Sequence, residues 1–166
     1  MRLTQFSGYG LRVLIYVGLK GQQLTTINEI AQSYGISKNH LMKVVQQLTN
    51  KGFLYSRRGK NGGVRLDRHP DQITIGAVVA AMEPGFGAAE CMREGNECVL
   101  TPVCRLRAKL NQASAAFLAV LDEVTLADIL HDKPHRDELS GLLRLELPVV
   151  PPQEMKREST ARATTA

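Results

Sequence analysis

The sequence predicts a mainly α-helical fold with a small β-wing, on the strength of three observations. Two short amphipathic segments, each preceded by a helix-capping residue, flank Gly35. Two short strand-like runs flank Asn61-Gly62, which is a strong hairpin signal. A long apolar repeat runs from Val103 to Val124. Together these features are typical of a winged helix-turn-helix domain followed by a long dimerisation helix.

The chain begins with three helical segments. Apolar residues within 3–19 recur at helical spacing on two sides, which predicts a helix buried against more than one neighbour. Thr26 and Glu29 form a capping box at the start of the second helix, and Gly35 ends it in a left-handed conformation. Ser37 caps a third helix after a short turn, which completes the helix-turn-helix pattern.

The third helix has an apolar face and a polar face. The polar face carries ammonium and amide groups, which suit DNA phosphates and base edges in the major groove. A helix of this kind reads bases with its N-terminal residues, although a solvated polar face is the alternative for this stripe alone. The candidate DNA-contacting residues of this helix are Lys38, Asn39, His40, Lys43 and Gln46.

A basic hairpin is predicted directly after the third helix. Residues 53–57 and 64–66 have strand character, and the Asn-Gly turn signal lies between them. A basic hairpin in this place is typical of a wing, which lies along the DNA backbone or in a minor groove. Its candidate DNA-contacting residues are Arg57, Arg58, Lys60, Asn61 and Arg65.

Charge is unevenly distributed along the 166 residues. Residues 1–70 contain 11 lysines and arginines against two acids, a net charge of +9. Residues 71–166 contain 10 against 14, a net charge of −4. A basic half predicts a polyanionic partner, and combined with the recognition helix and the wing it predicts binding to double-stranded DNA.

The second half predicts a connecting helix, a loop and a long helix. Thr74 caps the connecting helix, and Thr101-Pro102 is expected to supply the N-cap and first position of the long helix. The long helix carries an apolar seam, which predicts a homodimer because a palindromic operator presents two half-sites. Packing of this helix on its own domain is the alternative. The seam consists of Val103, Leu106, Leu110, Ala113, Phe117, Val120 and Val124.

These elements divide the chain into four parts. Residues 1–83 are predicted to form the winged helix-turn-helix domain, and 84–101 the cysteine-bearing loop. Residues 102–130 are predicted to hold the dimerisation helix and a short helix that starts at Thr125. From about residue 131 the apolar periodicity is lost, so 131–166 are expected to form an extended or flexible tail.

All three cysteines of the chain, Cys91, Cys98 and Cys104, lie close together in a glycine-bearing segment. An odd number of thiols cannot pair completely as disulfides, and their spacing is not that of a zinc finger. Cys104 is expected at the third position of the long helix, where the helix dipole stabilises a thiolate. Three thiolates from one loop and one helix start can hold an iron–sulfur cluster. Zinc with one further ligand is the alternative.

Several classes of protein are not expected. No apolar run approaches the length of a membrane span, and no hydrophobic segment follows a basic start, so a cytoplasmic protein without a signal peptide is predicted. The four histidines do not group in sequence with the thiols or with paired carboxylates. No glycine-rich phosphate-binding loop is present either, so an enzyme is not expected.

A resemblance to a known family extends over about residues 1–131. It is carried by the three cysteines and by LTQFSGYGLRVLIY, ISKNHLMKVVQQL, RRGKNGGVRL, TPVCRL and TLADIL. In these residues the chain resembles the NsrR/IscR-type family of winged-helix iron–sulfur transcription regulators. IscR-like relatives place a histidine three residues after the last cysteine, where this chain has Arg107. Some members have an acidic ligand, reaching in from the partner subunit, at the position of Gly8, and the first gap between cysteines is slightly long here.

The resemblance implies a repressor with a [2Fe–2S] or [4Fe–4S] cluster bound by Cys91, Cys98 and Cys104. It also implies that the cluster senses nitric oxide and that nitrosylation releases the operator. One alternative is a regulator of iron–sulfur cluster or cysteine metabolism that senses cluster occupancy. Another is a zinc-stabilised DNA-binding protein without sensing. A fourth cluster ligand remains open between an empty site, water, a small thiol and the loop acids Glu90, Glu94 and Glu97.

Overall fold

The computed structural model describes residues 3–83, 89–92 and 95–145, and it confirms the predicted fold class of helices with one small β-wing. No helix in these residues is long and apolar enough to span a membrane. Three 3₁₀ turns lie at Pro70–Gln72, Glu90–Met92 and Thr101–Val103. The regular elements are α1 (Gln5–Lys20), α2 (Ile27–Tyr34), α3 (Lys38–Asn50), β1 (Leu54–Arg57), β2 (Gly63–Leu66), α4 (Ile75–Met82), α5 (Arg105–Asp122), α6 (Leu126–Leu130) and α7 (Lys133–Leu142).

Helix α1 lies at the centre of the winged domain. It packs against α3, α4, α6 and β2, which explains why its sequence is apolar on two sides. Val13, Val17 and Leu19 are fully buried in this core. Thr4 is the N-cap residue of this helix, and its hydroxyl accepts a hydrogen bond from the backbone N–H of Ser7 at 3.2 Å.

The helix-turn-helix follows the predicted capping pattern. Thr26 and Glu29 form the capping box, and Gly35 ends α2 with φ of 62°, in the left-handed region that favours glycine. Ile36 in the turn and Leu41 in α3 are both buried. Ser37 is the N-cap residue of α3 as predicted, but its side chain makes no capping hydrogen bond.

The wing is an antiparallel hairpin in which Leu54 pairs with Leu66 and Arg57 pairs with Gly63. Its loop therefore contains five residues, 58–62, rather than the two of the Asn-Gly signal. Within it Asn61 has φ of 65°, and a side chain at Gly62 would collide with the carbonyl oxygen of Arg57. The turn signal was therefore placed correctly, and the loop is one residue shorter than the gap between the predicted strands, 53–57 and 64–66.

A short β-bridge joins the winged domain to the second half of the chain. Thr74 caps α4 through its hydroxyl and pairs with Thr125, which caps α6. The Thr74 hydroxyl also donates to the Asp122 carboxylate at 3.0 Å. Gly76 packs against Asp122 so closely that an added Cβ would collide with the carboxylate. These contacts anchor the C-terminal end of α5.

The start of the long helix differs from the sequence prediction. Thr101 and Pro102 belong to a 3₁₀ turn, and α5 begins only at Arg105. The Thr101 hydroxyl donates to Asn96 Oδ1 at 2.7 Å instead of capping α5. Cys104 is therefore the N-cap residue of α5 and not its third residue, and its side chain makes no capping hydrogen bond.

The segment after residue 131 also differs from the expectation of an extended tail. Residues 133–142 form α7, which begins with a proline in its first turn. Leu143 is buried in the main core, and Leu139 and Leu145 pack against it. The prediction of a tail was thus wrong for α7, and its part at 146–166 lies outside the described residues.

Candidate nucleic-acid interface and cysteine loop

The polar face of α3 points away from the core. Leu41, Val44 and Leu48 are fully buried, so the helix cannot rotate about its axis without exposing them. The side chain of Gln47 adds a directional contact, since its Nε2 donates to the carbonyl oxygen of Ala81 on α4 at 3.0 Å. The opposite face is held towards solvent. It exposes all five residues predicted from the sequence, namely Lys38, Asn39, His40, Lys43 and Gln46.

The first turn of α3 combines two features that suit DNA. Lys38, Asn39 and His40 are exposed there, with donors and acceptors that match phosphates and base edges. The helix N-terminus also presents backbone N–H groups and a positive dipole end to any anion nearby. Ser37 precedes this turn, and its exposed hydroxyl is not used in capping. The serine was predicted as a cap only, and no signal in the sequence indicated that its hydroxyl would make no capping hydrogen bond.

The basic residues of the wing fall into two groups. Arg57 donates from its guanidinium to the carbonyl oxygen of Asn61 at 2.6 Å, which braces the loop. Arg65 is half-buried, lies 4.6 Å from the centre of the Tyr55 ring, and donates to the carbonyl oxygen of Leu66 at 3.1 Å. Arg58 and Lys60 are exposed on the loop itself. All four basic residues were predicted as DNA contacts, whereas in the structure Arg57 and Arg65 stabilise the hairpin.

Two exposed apolar side chains in this region were missed by the sequence analysis. Met42 projects from α3 beside the polar face, and Tyr55 projects from β1. The pairing of Tyr55 with Arg65 across the hairpin could have been found from the strand register, since cross-strand partners lie on one face. Aromatic and thioether groups here offer apolar contact to a thymine methyl or a sugar.

The cysteines lie where the loop meets α5. Cys91 belongs to the turn Glu90–Met92, which packs against α5, and Cys104 is the residue before that helix. Cys98 lies between them, and all three are free thiols that are partly exposed. Three thiols suit an iron–sulfur cluster by their chemistry. Among the described residues, however, no three metal-binding side chains are assembled into one site.

The two resolved pKa shifts among the described residues lie away from this interface. Burial raises the pKa of Tyr34 to about 12, an effect that the Arg12 charge partly offsets. The Tyr34 hydroxyl donates to the carbonyl oxygen of Arg12 at 3.1 Å. Hydrogen bonds from the side chain and backbone of Thr125 lower the pKa of Asp128. Both groups therefore stabilise helix contacts and have no place in the candidate site.

A family model described as "Rrf2: Iron-dependent Transcriptional regulator" matches residues 3–132, which is most of the chain. The chain belongs to the Rrf2 family. The family resemblance inferred from the sequence is thereby confirmed. The expectation that the chain is a transcriptional regulator and not an enzyme is confirmed with it.

Rrf2 relatives match almost over their full length. The HTH-type transcriptional regulator NsrR of Geobacillus kaustophilus is 49% identical over 146 residues, covering 87% of this chain and 97% of the relative. The protein of the same name from Bacillus subtilis is 43% identical over 148 residues, covering 88% and 99%. The structure of CymR, the global cysteine regulator of B. subtilis, matches with a TM-score of 0.62 and 27% identity, covering 79% and 97%. The α7 helix follows the matched family region.

Proposed function

We propose that this Rrf2-family regulator is a DNA-binding repressor that responds to nitric oxide through its cysteine loop. The observation that supports this most directly is the exposed first turn of α3, held outward by a buried apolar face and followed by a basic wing. The regulators named NsrR, at 42–49% identity, give the proposal its functional context. The protein is proposed to bind DNA in the cytoplasm.

DNA contact is proposed for eight of the ten residues predicted from the sequence, and the other two shape the wing. Lys38, Asn39, His40 and Lys43 enter the major groove and read bases, and Gln46 contacts the backbone or a base edge. Arg58, Lys60 and Asn61 reach the adjacent phosphates or minor groove. Arg57 and Arg65 hold the shape of the wing through the contacts described above, and Ser37 donates its free hydroxyl to a phosphate.

Two chains are proposed to pair through α5. Val103 is 80% exposed, Leu106 64% and Val120 63%, although all three lie on the predicted apolar seam. Val103 lies in the 3₁₀ turn just before α5, and Leu106 and Val120 lie on the helix itself. So much apolar surface open to solvent is typical of an interface with another chain. Two paired copies place two recognition helices on the two half-sites of a palindromic operator.

Cys91, Cys98 and Cys104 are proposed to bind an iron–sulfur cluster of either [2Fe–2S] or [4Fe–4S] type. When bound, the cluster supplies iron that reacts with nitric oxide. The chain's part is to convert the state of the loop into a change of DNA affinity. Cys91 lies in a turn packed against α5, and Cys104 precedes its first residue, so a change in the loop acts on the dimerisation helix directly.

The experiment compares anaerobically isolated protein with a variant in which all three cysteines are serine. Iron, zinc and acid-labile sulfide are measured, and DNA retardation is followed with and without nitric oxide. We expect iron and sulfide in the parent protein only, and tighter DNA binding that nitric oxide abolishes. Zinc without sulfide would support the zinc-stabilised alternative, and DNA binding that ignores nitric oxide would refute the sensing proposal.

A second candidate is control of cluster supply or cysteine metabolism, and the match to CymR favours it. This protein would then respond to cluster occupancy rather than to the gas. Iron starvation and nitric oxide separate the two candidates in cells that carry a reporter gene behind the operator. Release under iron starvation alone supports the second candidate, whereas release by nitric oxide in iron-replete cells supports the first.

A further inference from the structure

The end of α4 is bonded to both helices that flank it in the winged domain. The backbone N–H and the hydroxyl of Thr4 both donate to Glu83 Oε1, at 2.8 and 3.2 Å. Gln47 of α3 donates to the carbonyl oxygen of Ala81 at 3.0 Å. Between them the buried side chain of Met82 lies against Gly10 of α1, where an added Cβ would come within 3.0 Å of its terminal methyl. Residues 81–83 therefore hold α1 and α3 together.

The Glu83 contact affects the whole N-terminus of α1. The Thr4 hydroxyl donates to Glu83 while it accepts from the N–H of Ser7, which is fully buried. The carboxylate therefore orients the hydroxyl that caps the helix. A negative charge at this end also interacts favourably with the helix dipole. Movement of Glu83 would remove the two hydrogen bonds that position Thr4, and so would loosen the residue that caps the first turn of α1.

The Gln47 contact fixes the position of α3 along its axis. The rest of the inward face of this helix consists of apolar side chains, whose attraction is not directional and allows small shifts. Among the described side-chain hydrogen bonds, the one from Gln47 is the bond that α3 makes to another helix. A shift of Ala81 would therefore be followed by the recognition helix.

Residues 81–83 directly precede the cysteine-bearing loop, predicted at 84–101, along the chain. Glu83 is the last described residue before the loop, and Cys91 follows eight positions later. We propose that residues 81–83 transmit the state of the cysteine loop to the DNA-reading elements, with Glu83 and Gln47 as positioning residues. This inference rests on the proposed function, because it supplies the route by which the loop acts on α1 and α3.

The test measures coupling rather than DNA affinity alone. The operator duplex is selected from random DNA by the parent protein. Its affinity is measured for the anaerobically isolated full chain and for the same chain with Cys91, Cys98 and Cys104 replaced by serine. Their ratio is then determined in Glu83→Ala, in Gln47→Ala and in a control, Glu138→Ala, which removes an exposed glutamate from α7.

Glu83→Ala and Gln47→Ala are each expected to reduce the ratio of the two DNA affinities about three- to tenfold, which corresponds to the free energy of about one hydrogen bond. Glu83→Gln keeps an acceptor oxygen and is expected to retain most of the ratio, and Glu138→Ala all of it. A purely structural role would lower the affinity of both forms equally and leave the ratio unchanged. An unchanged ratio in both Glu83→Ala and Gln47→Ala overturns the inference.

Hydrogen exchange separates failure of this inference from failure of the proposed function. If serine at the three cysteines leaves DNA affinity unchanged, the sensing function fails, but the route can still be examined. Replacing the cysteines is expected to speed exchange of the Ser7 amide and of α3 amides in the parent background. In the Glu83→Ala background the Ser7 amide should already exchange fast and respond no further. Exchange at Ser7 that is insensitive to the cysteines in the parent background overturns the route.

Discussion

Arg58 and Lys60 are expected to account for a measurable part of the salt dependence of DNA binding. Both are exposed on the loop of the wing, whereas Arg57 and Arg65 are bonded within the hairpin. The perturbation is the double replacement Arg58→Ala with Lys60→Ala. It removes two cations from each chain while leaving the contacts that shape the hairpin intact.

The magnitude follows from counterion release. The slope of log K against log salt concentration is about −0.9 for each phosphate neutralised. In the proposed dimer, two cations from each of two chains make four, so the slope of the variant is expected to be less steep by about 3 to 4. Between 50 and 200 mM salt, this reduces the affinity ratio of parent to variant by about a hundredfold.

Fluorescence anisotropy with a labelled operator duplex, titrated at several salt concentrations, measures the slope. The control replaces Lys109 and Lys133, which are exposed on α5 and α7, by alanine and so makes the same change in net charge. The control is expected to keep the parent slope. A parent-like slope in the wing variant, or an equal change in both variants, would show that the loop of the wing does not contact phosphates.

Three further predictions concern stability. Burial raises the pKa of Tyr34 to about 12, so the folded state keeps this side chain neutral. Its contribution to the free energy of unfolding is therefore present below pH 10 and is lost as the pH rises towards 12. Tyr34→Phe should flatten this part of the pH profile of the free energy of unfolding, and Tyr55→Phe should not. Leu143→Ala should lower the free energy of unfolding by about 2–4 kcal/mol, whereas Leu142→Ala, at a 74% exposed site, should change it little in urea titrations. Gly62→Ala should disorder the wing loop, seen as lost NMR cross-strand contacts, because its Cβ collides with backbone.

Local signals were the ones that the sequence predicted well. The capping box of Thr26 and Glu29 needs only residues three positions apart, and the caps at Thr74 and Thr125 likewise depend on their own first turns. The buried face of α3 follows from the helical period, so its exposed polar face was predicted residue by residue. These features required no knowledge of the tertiary structure.

The misses arose where a contact outside the predicted element decided the outcome. The Thr101 hydroxyl binds Asn96, so a good capping sequence produced a 3₁₀ turn and α5 began later. Helix α7 has few apolar residues, and Leu139 and Leu143 become significant only because they reach the core. Arg65 was predicted as a DNA contact, but the strand register that brings it over Tyr55 was not predicted.

The anchoring of α5 indicates how a small change near the cysteines could alter the distance between the two α3 helices of the proposed dimer. The hydrogen bonds that join this helix to the winged domain lie at and just beyond its C-terminal end, where the Thr74 hydroxyl donates to the Asp122 carboxylate and the Ile75 N–H donates to the carbonyl oxygen of Val124. The cysteines lie at the other end. An 18-residue helix is about 27 Å long, so a rotation of about 5° about its cysteine-bearing end moves its anchored end, and the winged domain bonded there, by about 2 Å. Such a shift of each winged domain about the proposed seam is enough to break hydrogen bonds to base edges, whose lengths vary by only a few tenths of an ångström.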